Sequence, residues 1–218
     1  MNFTKKELET IARCELFCGL EGEALFAALE YFGAAKKSYQ KGDALCEIGE
    51  PFESFGLVLD GTVQVLDYDL GGERVIMANV ATGATFGESL CFLGEQASPV
   101  LVIASTDCSV LHLNCRRFRS NDGENSPLRE RFTSMLARRA LSMNDRIQIL
   151  SKLTLRDKLM TYFSQCAKEY GSRTFSLPLD RESLALYLGV NRSALSRELS
   201  NMQRDGIIEF YKNSFKIL

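Results

Sequence analysis

The chain of 218 residues contains a single histidine, His112, and that scarcity removes whole classes of chemistry. A metal-dependent β-barrel oxygenase or hydrolase gathers several histidines with a carboxylate around its ion, and one histidine cannot do this. A Ser-His-Asp arrangement, a P-loop and a Rossmann fingerprint are also missing, so the chain does not read as an enzyme. Within Leu-His-Leu on a strand, His112 reads as a surface or hydrogen-bonded residue rather than a haem ligand. No run approaches the ~20 apolar residues of a membrane span. The opening MNFTKKELETIARCELF is a charged amphipathic pattern rather than a signal peptide, which predicts a cytoplasmic protein with no membrane partner.

Cysteine is present but unorganised. Seven cysteines without a secretory signal read as reduced thiols, and their scattered spacing offers no disulfide framework. Cys14 and Cys18 are followed by no further cysteine until Cys46, so the four thiolates of an iron-sulfur cluster are not in place. Thiol-disulfide sensing by Cys14 and Cys18 has no further support. Cys91, Cys108, Cys115 and Cys166 fall in apolar strand or helix contexts and read as core. The sequence names no cofactor.

Charge is distributed by halves. Residues 1–125 hold 10 Lys and Arg against 19 Asp and Glu, a balance of −9, whereas residues 126–218 hold 16 against 9, a balance of +7. An acidic module joined to a basic one is the asymmetry of a sensor joined to a nucleic-acid-binding unit.

The basic half contains DRESLALYLGVNRSALSRELSNMQRDG, from Asp180 to Gly206. Asp180 can cap a first helix, on which Leu184, Ala185 and Leu188 share one face. Gly189 can end that helix in the left-handed conformation, Val190 plugs the turn, and Asn191 caps a second helix. There Leu195, Leu199 and Met202 face inward, while Arg192, Ser193, Ser196 and Arg197 project from the opposite side near the N-terminal end. Those are the groove-reading positions of a helix-turn-helix. An ordinary helical hairpin with a solvated polar face is the alternative. A positive surface adds sequence-independent attraction to phosphates.

Taken in order, residues 4–32 predict two short packing helices, with Leu8, Ile11 and Ala12 on the first and Leu25, Phe26 and Leu29 on the second. From Tyr39 to Leu113, short apolar or alternating runs broken by glycines predict an all-β barrel or roll. Residues 114–127 are a polar connection with Pro127 in the first turn of the next helix. That helix runs from about Leu128 to Lys152, roughly 25 residues and ~38 Å long, with Leu128, Phe132, Met135, Leu136, Met143, Ile147 and Leu150 at threes and fours. Such a seam suits pairing with a second copy, although a helix lying along the β domain would show a similar stripe. Leu155–Tyr170 predicts a further helix ending at Gly171. Ile207–Phe210 and Phe215–Leu218 predict a terminal hairpin, a wing, whose tip residues Lys212 and Asn213 are placed to touch phosphates or simply to be solvated.

A β-roll, a long helix and a winged helix-turn-helix, in that order, resemble the cAMP-receptor/fumarate-nitrate-regulator (Crp/Fnr) superfamily of bacterial transcription factors. The resemblance is carried by KGDALCEIGEPFESFGLVLDGTVQVL from Lys41, FGES from Phe86, LARRALSMNDRIQIL from Leu136, and the helix-turn-helix. It implies an α+β chain. An effector-sensing double-stranded β-helix of the cyclic-nucleotide-binding type would occupy 1–125, a dimerisation helix 126–153, and a winged helix-turn-helix 154–218. The implied partners are double-stranded DNA, a second copy of the chain, RNA polymerase and a small-molecule effector.

The resemblance implies DNA contacts at Arg192, Ser193 and Arg197, with Ser196 also facing the groove. Arg197 would read guanine through O6 and N7. Cyclic-nucleotide members usually carry a glutamate where Ser193 stands, so the operator is expected to differ at that step. Those members bind sugar and phosphate with a Gly-Glu pair and, about ten residues on, an Arg-Ser pair. Here Gly87 and Glu88 remain, followed by Ser89, but Ser98 and Pro99 replace Arg and Ser. Met143 and Asn144 stand where Thr and Ser would meet the adenine. The effector is therefore expected not to be cAMP, and Arg139 would pair with another anion or with Glu88. A redox- or metal-responsive regulator of the same family is one alternative, and a small-molecule-binding β-barrel without DNA function is another.

Overall fold

The computed structural model describes residues 3–69, 71–94, 97–119, 126–177 and 179–218, the side chains at 118, 119 and 126 excepted. Positions 120–125 of the expected polar connection lie outside the described residues. The chain forms two compact units, Met1–Ala137 and Arg138–Leu218.

The first unit opens with α1 (Lys5–Arg13), which starts at a capping box: the Glu7 amide donates to Thr4 Oγ1 at 3.3 Å, and the Thr4 amide donates to Glu7 Oε2 at 2.8 Å. Lys36 Nζ lies 2.6 Å from Glu7 Oε1. Burial, the largest single influence, pushes the Glu7 carboxyl upward, but Lys36 and Thr4 outweigh it and hold the group below the usual range. In α2 (Gly22–Tyr31), Leu25 and Leu29 are buried. Phe26, expected to pack beside them, is 51% exposed, because one residue further along rotates it off the core-facing stripe.

The β region follows as β1 (Ala35–Tyr39), β2 (Ala44–Cys46), β3 (Ser54–Asp60), β4 (Thr62–Tyr68), β5 (Arg74–Ala81), β6 (Thr85–Phe86), a short helix α3 (Glu88–Leu93), β7 (Leu101–Ala104) and β8 (Cys108–Asn114). The roll thus begins at Ala35 rather than Tyr39, and it contains a helix the all-β reading did not predict. Two four-stranded sheets form, ordered β1-β8-β3-β6 and β2-β7-β4-β5, and every pairing is antiparallel. Alternation along the strands assigns the two faces of the first sheet. Phe55 sends its ring toward Phe32 of the N-terminal segment and Phe132 of the following long helix, with centroids 5.9 and 5.5 Å away. On the other face, Gly56 lies opposite both His112 and Phe86. A Cβ at Gly56 would run into the Phe86 ring, so this glycine is required by close packing.

After the one-turn α4 (Arg116–Arg119), helix α5 spans Ser126–Leu150, two residues earlier at each end than predicted. Its apolar stripe is divided between tasks. Leu128, Phe132 and Met135 are buried in the core of the first unit, and Ile149 is buried in that of the second. Between them Leu141, Met143 and Ile147 are 65%, 65% and 62% exposed.

The second unit continues with α6 (Leu155–Tyr170), capped by Thr154 and ended by Gly171 at φ 60°. Next come β9 (Thr174–Ser176), α7 (Arg181–Leu188), α8 (Arg192–Arg204), β10 (Ile208–Tyr211) and β11 (Ser214–Ile217). The three strands form a sheet in the order β10-β11-β9. Phe163 of α6 packs its ring 4.8 Å from Phe215 and 5.8 Å from Phe175, so the helices and the wing share one core.

Candidate nucleic-acid interface and sensor cavity

The reading helix is set by local chemistry. Asp180 Oδ1 accepts from the Ser183 amide at 2.8 Å and starts α7; that bond, the largest influence, holds the Asp180 carboxyl below its ordinary value. Gly189 ends α7 at φ 65°, a left-handed conformation that L side chains adopt only with strain. Asn191 Oδ1 then accepts from the Ala194 amide at 2.8 Å and from the Ser193 hydroxyl at 2.9 Å. Leu195, Leu199 and Met202 are buried, which turns Arg192, Ser193, Ser196 and Arg197 outward, and all four are exposed. Arg197 makes one long bond, Nε to the Ser193 carbonyl at 3.4 Å. The five residues expected to meet DNA thus lie within one unit, four on the outer face of α8 and Lys212 at the wing tip.

Sequence reading missed what holds this helix from behind. Arg156 on α6 reaches Glu198 Oε1 at 2.6 Å through Nε and Asp205 Oδ2 at 2.8 Å through Nη2. The hydrogen bond to Glu198 is the main reason its guanidinium holds its proton more tightly than usual. Lys158 Nζ donates to the Leu188 carbonyl at 3.2 Å, satisfying the C-terminal end of α7. The only signal available in sequence was the acidic pair Glu198 and Asp205 in an otherwise basic segment.

The expected effector residues fall in both units. In the first, Gly87 stands before α3 at φ 79°, and a Cβ there would strike the ring of the buried Phe52. Glu88 is buried, Ser89 and Pro99 are exposed, and Ser98 is buried. The Ser98 hydroxyl donates to the Val100 carbonyl at 2.7 Å and its amide to the Glu50 carbonyl at 2.7 Å, so this serine fastens a turn. In the second unit Arg139, Met143 and Asn144 are exposed on α5.

A cavity of about 360 Å³ opens in the roll, lined by Leu45 and Cys46 of one sheet, Ser54, Phe86 and His112 of the other, and the intervening Glu50–Glu53 segment. The volume lies within the ~300–1,000 Å³ of small-molecule sites. His112 is hydrogen-bonded, as read from sequence, but inside the roll: Nε2 lies 2.8 Å from the Tyr39 hydroxyl and Nδ1 3.3 Å from that of Ser54. Burial, aided by Lys37, lowers its pKa to about 4, so the ring is neutral at pH 7. Burial likewise raises the Cys14, Cys108 and Cys166 thiols, away from reactive thiolates. Cys18 is exposed. Among the described residues no cluster of metal-ligating side chains occurs, and no helix is long and apolar enough to cross a membrane.

A two-sheet roll with a cavity opening in it, followed by a winged helix-turn-helix with an exposed basic face, is the arrangement of a sensor-type domain joined to a DNA-binding unit. The cyclic nucleotide-binding domain family matches residues 36–120, and the Crp-like helix-turn-helix domain family matches 147–218. The chain belongs to the Crp/Fnr superfamily of DNA-binding transcription regulators. It is 25% identical over 179 residues to electron transport regulator A of Shewanella oneidensis, covering 80% of this chain and 71% of that protein. It is 24% identical over 174 residues to the cAMP-activated global transcriptional regulator CRP of Salmonella typhimurium, covering 78% and 83%. The fold is shared with the crystal structure of DNR from Pseudomonas aeruginosa at a TM-score of 0.55 and 20% identity, covering 100% of this chain and 96% of that one.

Proposed function

We propose that the protein works as a cytoplasmic homodimer, without enzymatic activity, that places two copies of α8 in successive major grooves, about 34 Å apart. The observation that carries this reading is the exposed row Met143, Ile147 and Leu150 on α5, spaced by four and three residues and lying beyond the buried Leu128, Phe132 and Met135 of the same helix. Apolar side chains at this spacing form the seam of a helix pair. Arg192, Ser193, Ser196 and Arg197 would then read base edges and Lys212 would meet phosphate, with RNA polymerase as the partner at the promoter.

The effector is a small molecule other than cAMP. Ser98 and Pro99 supply no cation for a phosphate, and the Ser98 hydroxyl and amide are both engaged within the chain. Effector binding would shift the population between dimer arrangements and so the spacing of the reading helices. The test combines DNA titrations at several salt concentrations with calorimetry. Salt-sensitive binding of promoter DNA by a dimer, and no cAMP binding in the submicromolar range, are expected. A submicromolar cAMP affinity would overturn the effector assignment, and salt-insensitive or absent DNA binding would overturn the reader.

A further inference from the structure

An arginine in the first turn of a helix-turn-helix invites assignment as a phosphate contact, and Arg181 opens α7. Its surroundings give it other work. Its guanidinium carbon lies 5.2 Å from the centroid of Phe210 and 5.0 Å from that of Phe215, two of the three aromatic rings of the wing. Nη2 donates to the Lys212 carbonyl at 2.6 Å. Nη1 is buried and makes no hydrogen bond among the described residues. The guanidinium is thus committed to the wing.

What it holds is a turn that needs holding. Tyr211 pairs with Ser214, so Lys212 and Asn213 alone form the loop of the hairpin. Two-residue hairpin loops require positive φ and favour Asn-Gly or Gly. Here Lys212 takes φ 51°, and it is the one non-glycine residue with positive φ among those described. The two tip carbonyls are each claimed from within the unit, that of Lys212 by Arg181 and that of Asn213 by the Leu177 amide at 2.8 Å. With both carbonyls held inward, Lys212 is exposed at the tip, its Nζ 5.6 Å from the centroid of the equally exposed Tyr211 ring.

We propose that Arg181 is a positioning residue for DNA binding: it fixes the wing through Phe210, Phe215 and the Lys212 carbonyl so that Lys212, and not Arg181, meets the phosphate backbone. The assignment rests on the reading that the wing tip touches DNA, and the experiment separates the two. Binding of a fluorescein-labelled promoter duplex by the full-length dimer is measured against salt for wild type, R181K, R181Q, K212Q and R181Q/K212Q. Each lost phosphate contact lowers the salt slope by about one.

K212Q is expected to lower the slope by about one, R181Q by the same amount, and the double variant by no more than either. R181K should behave like R181Q, because an ammonium lacks the planar fork that stacks on two rings while donating. Wild-type slope and affinity in R181K, or a slope lowered by about two in the double variant, would make Arg181 a direct phosphate contact and overturn the proposal. An unchanged slope in K212Q, a surface variant that spares the fold, overturns it whatever the Arg181 variants do. Loss of salt-sensitive binding by the wild type itself would instead sink the reader reading.

Discussion

The Ser193 hydroxyl donates to Asn191 Oδ1 at 2.9 Å, the same oxygen that accepts the Ala194 amide at 2.8 Å and starts the reading helix. One atom therefore serves both the stability of α8 and the orientation of the Ser193 side chain proposed to meet DNA. Asn191→Ala is expected to cost about 1 kcal/mol of stability in urea unfolding. Asn191→Asp caps as well and should keep that stability, yet it puts a carboxylate beside phosphates. Weaker DNA binding by N191D at unchanged unfolding free energy is the expected split, and equal losses of stability in both variants would contradict it.

Among the described residues Arg197 makes one long hydrogen bond, through Nε, which leaves both Nη groups available. Operator selection with Arg197→Ala should relax preference at a single guanine step, with about 1–3 kcal/mol of discrimination lost there. At the step facing Ser193, selection with the wild type should give a base preference different from that of glutamate-bearing relatives. Recovery of their preference unchanged would refute the part given to Ser193.

Met143 and Ile147 stand one helical turn apart on the same face of α5 and are both exposed. Replacing both by Asp should convert the dimer to monomers in sedimentation experiments while the thermal transition of the roll persists, because Leu128, Phe132 and Met135 anchor the helix separately. A variant that still sediments as a dimer would place the seam elsewhere.

His112 makes the roll sensitive to acid. Its pKa is about 6.5 in an unfolded chain and about 4 in the folded one. Between those values the unfolded state binds the extra proton. The contribution to stability is therefore fully present above about pH 6.5, is lost as pH falls, and is exhausted below about 4. Between pH 7 and 4.5 the wild type should lose about 2–3 kcal/mol more than His112→Gln, measured by urea unfolding at each pH. Parallel curves for the two proteins would show that the ring titrates normally.

Phe163 joins α6 to the wing through Phe215 and Phe175. Truncation to Ala should cost roughly 3–5 kcal/mol and abolish DNA binding by loosening α8 and the wing together. A loss below ~1 kcal/mol would mean that the cluster repacks.

The helix-turn-helix was readable because its instructions are local. Asp180, Gly189 and Asn191 act on backbone atoms within a few residues of themselves, and Leu195, Leu199 and Met202 mark the buried face by spacing alone. The caps Thr154 and Gly171 around α6 belong to the same class. The roll was readable as strands and turns, but α3 was not predicted: the six residues ESLCFL, flanked by the left-handed Gly87 and Gly94, carry too little periodicity to stand out from a strand.

Side-chain roles with distant partners were hidden. Phe26 was grouped with its apolar neighbours, and only the packed unit shows it turned outward. Ser98 looked like a replaced ligand group, and in the fold its hydroxyl fastens a turn onto Val100. Arg156 and Arg181 were ordinary basic residues until α8 and the wing were placed against them.

By itself, then, the sequence determined the order of modules, the boundaries of the reading helix and its outward residues, since hydrophobic period, capping and charge are properties of adjacent residues. The tertiary structure decided which face of each strand became the cavity, how the apolar residues of α5 are divided between two cores and an exposed stretch, and why His112 is neutral. Each of these depends on groups brought together from distant positions, where burial and desolvation exist only after the chain has folded.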